Sequence, residues 1–165
     1  MAANKATVNV SASVLPDDMK VSVGGTIVYD LNDMAGDDSK WIYYVNDIDN
    51  GGTEVLIPAD VGYLGTSGSA GHTTPTRTAA GDMLEFVVIK HSGFRSDGTT
   101  TSTDNLFINF THNIDADNAT GNLVLEPGDV WWGRFAGTAD TADLEGEAAA
   151  NDIKVQIYAV LDDQS

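Results

Sequence analysis

Two stretches decide how this chain is read: Val55-Leu56-Ile57-Pro58-Ala59-Asp60-Val61 and Val124-Leu125-Glu126-Pro127-Gly128-Asp129-Val130. In each, an apolar run enters a Pro-led turn and an Asp hands the chain to a second apolar run. A third version, without Pro, is Ala80-Gly81-Asp82-Met83. Pro presets φ, the small residue permits tight geometry, and the Asp carboxylate is suited to accept from nearby backbone N–H groups. This is the chemistry of a corner between β-strands. The two Pro corners are expected at comparable sheet switches, chance likeness of two short windows being the competing account.

Outward from these corners the pattern is strand-like. Thr7 to Val14 alternates, with Val8, Val10, Ala12 and Val14 on one face. Ile153, Val155, Ile157, Ala159 and Leu161 alternate against Lys154 and Gln156. Such period-two runs mark half-buried antiparallel strands. Further strands are expected at Met19–Val23, Thr26–Asp30, Lys40–Val45, Thr53–Ile57, Met83–Lys90, Leu106–Phe110, Asn122–Leu125 and Val130–Phe135. Gly24-Gly25 suggests a hairpin turn or bulge. The helical signal is confined to Thr141–Ala150, where a helical turn or two competes with a mobile acidic loop. Polar insertions fall at Gly65–Ala80, Ser92–Asp104 and Ala136–Ala150. The expectation is an all-β, antiparallel jelly-roll or β-sandwich of about eight to ten strands with long polar loops. Met1–Thr7 reads as an N-terminal arm and residues 8–165 as one domain.

Composition narrows the function classes. The chain has 165 residues, a net charge of −17, no Cys, and 20 Asp against 5 Glu. Asp favours caps and turns over helix and strand interiors, which suits a loop-rich chain. The eight Lys and Arg are scattered without a basic stripe, which argues against direct nucleic-acid binding. No run approaches the ~18 apolar residues of a spanning helix, and Met1–Lys5 lacks a signal-peptide core, so neither membrane nor secretion is expected.

Some strands are apolar on both faces. In Trp41–Val45 the faces are Trp41/Tyr43/Val45 and Ile42/Tyr44. In Leu84–Ile89 they read as Leu84/Phe86/Val88 and Val87/Ile89, the latter with Glu85. In Val130–Phe135 they are Trp131/Phe135 and Val130/Trp132, the latter with Arg134. A two-layer sheet protein buries one face of each sheet, so the second face needs a cover. A long loop folding back is one cover. Another subunit is favoured, with Trp41, Tyr43, Tyr44, Trp131, Trp132 and Arg134 as interface candidates.

Catalytic and metal signatures are weak. His72, His91 and His112 form no ligand pairing and read as surface or turn residues. Pro127-Gly128-Asp129 resembles a cupin corner, but the clustered His of a metal cupin is missing. Asp47-Ile48-Asp49-Asn50-Gly51 and Asp115-Ala116-Asp117-Asn118 offer oxygen ligands without the EF-hand Gly and Glu, so Asx turns compete with calcium there. Gly65-Thr66-Ser67-Gly68 is not a nucleophile elbow, and Gly65–Gly71 lacks the Lys of a phosphate loop. Asn9, Asn109 and Asn118 open glycosylation-type triplets that read as coincidence without a secretory signal. The expectation is a non-enzyme with no cofactor and no metal.

The acidic all-β body, the Met1–Thr7 lead, Ala80-Gly81-Asp82-Met83 and Leu125–Phe135 together resemble tailed-bacteriophage capsid decoration (cement) proteins. The resemblance implies a homotrimer on the capsid exterior that binds the major capsid protein and staples neighbouring capsomers. A carbohydrate-binding or adhesin-like β-sandwich is the alternative, with Trp41, Tyr43, Tyr44, Trp131 or Trp132 as a sugar-stacking platform.

Overall fold

The computed structural model describes residues 5–14, 21–30, 39–63, 77–79, 81–110, 123–135 and 139–162. Among them the chain is all-β, with one 3₁₀ turn at Thr141–Asp143 and no α-helix. Ten strands run in order: β1 Lys5–Val14, β2 Val21–Asp30, β3 Ser39–Ile48, β4 Glu54–Val55, β5 Met83–Arg95, β6 Leu106–Asn109, β7 Leu123–Leu125, β8 Val130–Arg134, β9 Glu145–Ala148 and β10 Ile153–Asp162. β1 and β2 pair with each other as a separate ribbon. The rest form two four-stranded antiparallel sheets, β3-β10-β5-β8 and β4-β9-β6-β7. From β3 to β10 every connection crosses between these sheets except the one joining β6 to β7.

One apolar cluster draws on both sheets. Ile42, Val87, Ile89, Ile153, Val155, Ile157 and Leu161 come from the first, and Leu106, Ile108, Leu125 and Ala148 from the second. The alternation expected in Ile153–Leu161 is the inward face of β10. β5 departs from the expected alternation. Its pairing with β10 shifts between Leu161↔Leu84 and Val160↔Phe86, leaving Glu85 as a bulge. Leu84 therefore joins Val87 and Ile89 in the core, while Phe86 and Val88 share the other face.

Several expectations are corrected by the backbone. Gly24-Gly25 is neither a turn nor a break: both lie inside β2, paired with Ser11 and Val10. Lys5–Thr7, assigned to an arm, are the first residues of β1; Met1–Asn4 lie outside the described residues. Ser92–Asp104 is only partly an insertion, because β5 continues to Arg95 and a Phe94↔Thr101 bridge closes the turn beyond it. Thr141–Ala150 holds one helical turn, of the one or two expected, and then a strand that was not expected. Asp140 caps a single 3₁₀ turn through a capping box, and Glu145–Ala148 form β9. Gly146 is required there: a Cβ would lie 2.6 Å from Leu56 Cδ2.

The corners divide differently from their sequences. In Glu126–Asp129, Asp129 N–H donates to the Glu126 carbonyl (2.9 Å), Gly128 takes φ 95°, and the Asp129 carboxylate accepts from Glu126 N–H (3.0 Å). Ala79–Asp82 repeats this: Gly81 takes φ 103°, and the Asp82 carboxylate accepts from Ala79 N–H (2.8 Å). Ala80 lies outside the described residues. Both Pro corners lie on connections that cross from the second sheet to the first, β4 to β5 and β7 to β8, as expected, but the Pro58 turn is built differently. Its positive φ falls on Asp60, and its backbone is closed by Thr78, whose Oγ1 donates to the Pro58 carbonyl and accepts from Val61 N–H (both 2.9 Å). With no Gly before the Asp, Asp60 itself takes the left-handed conformation.

Candidate functional site

Strand register builds the most distinctive surface, the face of the first sheet turned away from the core. Its rows cross the strands. Tyr43, Tyr158, Val88 and Trp132 stand side by side in one row, and Trp41, Val160, Phe86 and Arg134 in the next. A third row carries Val45, Gln156, Lys90 and Val130. Trp41 and Tyr43 are 38% exposed, and Tyr158 and Trp132 44%. Phe86 and Val160, between them, are buried. The rings form local pairs: Tyr43 and Tyr158 have centroids 4.6 Å apart, and Phe86 and Trp132 6.3 Å. Three of the chain's eight Lys and Arg, Lys90, Arg134 and Lys154, share this face. Lys154 Nζ donates to Asp47 Oδ1 at 2.6 Å.

The interface candidates are therefore split. Trp41, Tyr43, Trp132 and Arg134 lie on this outward face. Tyr44 and Trp131 occupy the opposite, inward row with Ile157 and Ile89, half-buried against the core. Trp131 packs on Phe110 (4.9 Å between centroids), and its indole lies over Gly133, where a Cβ would meet Trp131 at 2.3 Å. Tyr158 belongs to the face although the sequence reading did not name it. Its signal is parity, since Tyr158 continues the Lys154–Gln156 side of β10.

The second sheet presents a different outer face. Phe107, Val124 and Glu147 form one row, and Asn109 and Glu145 the next. Two carboxylates thus accompany the apolar pair.

The polar features serve the architecture. His91, expected at the surface, is fully buried: Nδ1 accepts from Gly93 N–H (3.1 Å), so Nε2 carries the proton donated to the Asp104 carbonyl (2.8 Å). Asp104 in turn accepts from Asn151 Nδ2 (2.9 Å), tying the end of β5 to the start of β10. His72, His112 and Asp115–Asn118 lie outside the described residues. A polar cleft of about 330 Å³ is lined by Asn50, Arg95, Ser96, Asp97, Asn151 and Asp152. Its carboxylates close turns. Asp97 accepts from Thr99 and Thr100, and the Thr100 hydroxyl and N–H hold it well below the usual carboxylate range. Asp152 accepts from Asn50 N–H. In the candidate calcium segment, Asp47 is the Lys154 partner. Partial burial and then the neighbouring Asp49 carboxylate push Glu54 above its ordinary range. Among the described residues no three His, Asp or Glu side chains are grouped to hold a metal ion.

No family model, curated protein or solved structure matches this chain. The site is thus read from its own chemistry.

Proposed function

We propose that this chain is a non-enzymatic structural protein of a virion, a jelly roll that decorates a phage capsid exterior as a homotrimer bound to the major capsid protein. The strand orders β3-β10-β5-β8 and β4-β9-β6-β7 support the jelly-roll reading, because successive strands alternate between sheets as two Greek keys require. The observation that carries the function is the outward aromatic face of the first sheet. A row of Tyr43, Tyr158 and Trp132 is larger and more aromatic than scattered surface hydrophobics, and such patches mark contact surfaces. Arg134 and Lys90 at its margin add the cationic character that interfaces favour and that a −17 chain otherwise lacks. Acid elsewhere keeps the particle exterior soluble.

The test is co-sedimentation with shells of the major capsid protein from the same genome. The expected result is saturable binding in multiples of three, lost on Trp132→Ala. A chain left in the supernatant at every salt concentration contradicts the decoration role.

One feature favours a second reading. Tyr43, Tyr158 and Trp132 lie in a single row, the geometry of a sugar-stacking platform. A monomer that binds glycans and loses them on Trp132→Ala would establish this adhesin-like role instead.

A further inference from the structure

Arg95 ends β5 beside a bulge. Between the pairs Val155↔His91 and Ile153↔Arg95, β5 spends Ser92, Gly93 and Phe94 where β10 spends only Lys154. The bulge is fixed from within: Gly93 takes φ 83° and donates to His91 Nδ1, and Ser92 Oγ accepts from Phe94 N–H (3.1 Å). The chain then turns at once, with Arg95 N–H donating to the Thr100 carbonyl and Gly98 N–H to the Arg95 carbonyl (both 2.8 Å). The Arg95 backbone is thus held. Its guanidinium, however, has no hydrogen bond or ion pair among the described residues, and Nε is buried without an acceptor. A buried N–H left unpaired is costly, and a partner that draws the guanidinium forward relieves that cost.

Arg95 lines the polar cleft of about 330 Å³, at the lower end of the volumes of ligand pockets. The rest of the lining is pre-set. Asp97 is pinned by Thr99 and Thr100, and Asp152 Oδ1 accepts from Asn50 N–H (3.2 Å). Asn50 Nδ2 donates to the Ala150 carbonyl, and Asn151 Nδ2 to Asp104 (2.9 Å). Left without a partner among the described residues are Asp152 Oδ2, the Ser96 hydroxyl and the Oδ1 atoms of Asn50 and Asn151. The cleft therefore combines a fork of open donors with several open acceptors.

Charge selects the ligand class. In the lining, Arg95 is outnumbered by Asp97 and Asp152, and Asp49 and Glu54 add to the acidic surplus beside Asp152. Lys154, adjacent to Gly98, is engaged by Asp47. An anion such as phosphate meets that surplus, and a metal cation meets the guanidinium. A pair of neutral hydroxyls suits both, because each accepts from a donor and donates to an acceptor. We propose that this cleft binds a neutral saccharide, with Arg95 donating to one of two adjacent ring hydroxyls while Asp152 and Asn151 accept from them. The site shares no residue with the aromatic face, and it needs neither a trimer nor a capsid.

The test is titration of the ¹⁵N-labelled full chain with the methyl glycosides of glucose, galactose and mannose, and separately with inorganic phosphate at matched ionic strength. The expected result is saturable shifts of the Arg95 Nε–H and Asn151 signals in the millimolar range with at least one glycoside, and none with phosphate. Arg95→Lys keeps the charge but loses the fork, and should weaken that binding about tenfold. Ser96→Ala, a milder change in the same lining, should weaken it about threefold. No saturable shift with any of the three glycosides overturns the assignment, as does binding that neither variant weakens. Tighter binding of phosphate overturns it by making the cleft an anion site. Sugar-induced shifts confined to the indole N–H signals of Trp41 and Trp132 place the sugar on the aromatic face and overturn it equally.

Discussion

The first sheet turns Tyr43, Tyr158 and Trp132 outward in one row, whereas the second turns Phe107 and Val124 outward beside Glu147. Both sheets contribute inward residues to the same core, so the contrast lies entirely on the outer sides. Long strands in the first sheet allow three full rows. The second sheet has strands of two to four residues, and β9 supplies Glu145 and Glu147 where the first sheet places aromatics. On the proposed function the difference separates two tasks: the shared interior holds the fold, and one exterior serves contact.

The largest expected effect breaks that contrast directly. Trp132→Ala with Tyr158→Ala removes two aromatics worth about 2 kcal/mol each in a buried contact, so self-association should weaken on the order of 1000-fold. Val124→Ser, on the other outer face, should leave it unchanged. Sedimentation equilibrium reads both. If Val124→Ser weakens association as much as the aromatic pair, the two faces are not distinct in role.

Interior changes should show the reverse pattern, costing stability while sparing association of the folded chain. Asp82 is buried and accepts from Ala79 N–H and the Tyr63 hydroxyl, so Asp82→Ala should cost about 3 kcal/mol in denaturant unfolding. Asp129→Ala, in the exposed twin of that turn, should cost about 1 kcal/mol. Equal costs would show that burial does not separate the two turns. Gly146→Ala drives a methyl into Leu56 and should destabilise by about 1–2 kcal/mol.

The smallest effect is on pH dependence. Glu54 titrates above its ordinary value of 4.5 in the folded chain, first through partial burial and then through Asp49. The folded state therefore binds this proton more tightly than the unfolded state, and the contribution is lost as pH rises through the folded value. Glu54→Gln should flatten that decline in urea midpoints measured between about pH 4 and about pH 7. An unchanged slope would remove Glu54 as its cause.

Much of this architecture is legible in sequence because one face of most strands is buried, which forces period-two alternation. β10 shows it plainly. The misses have local causes. β9 is Glu-Gly-Glu-Ala, whose inward residues are small because Leu56 occupies the space, so no apolar alternation announces a strand. The Glu85 bulge flips Leu84 relative to Phe86, and no sequence period encodes an inserted residue. His91 looks like a surface residue because its partners are a backbone N–H and a carbonyl, which composition does not reveal. Of the contact candidates, parity within β3 and β8 was readable. Which parity faces outward was not, because both faces are apolar, and Tyr44 and Trp131 fell on the inner side.

The most direct test of the account is light scattering across a salt series. On the proposed function the aromatic face drives association and the −17 charge opposes it, so screening should favour assembly. The account predicts a mass moving toward three times the 17.4 kDa chain as salt rises, and a monomer throughout for the Trp132→Ala, Tyr158→Ala variant. A wild-type chain that stays at 17.4 kDa at every salt concentration would contradict it.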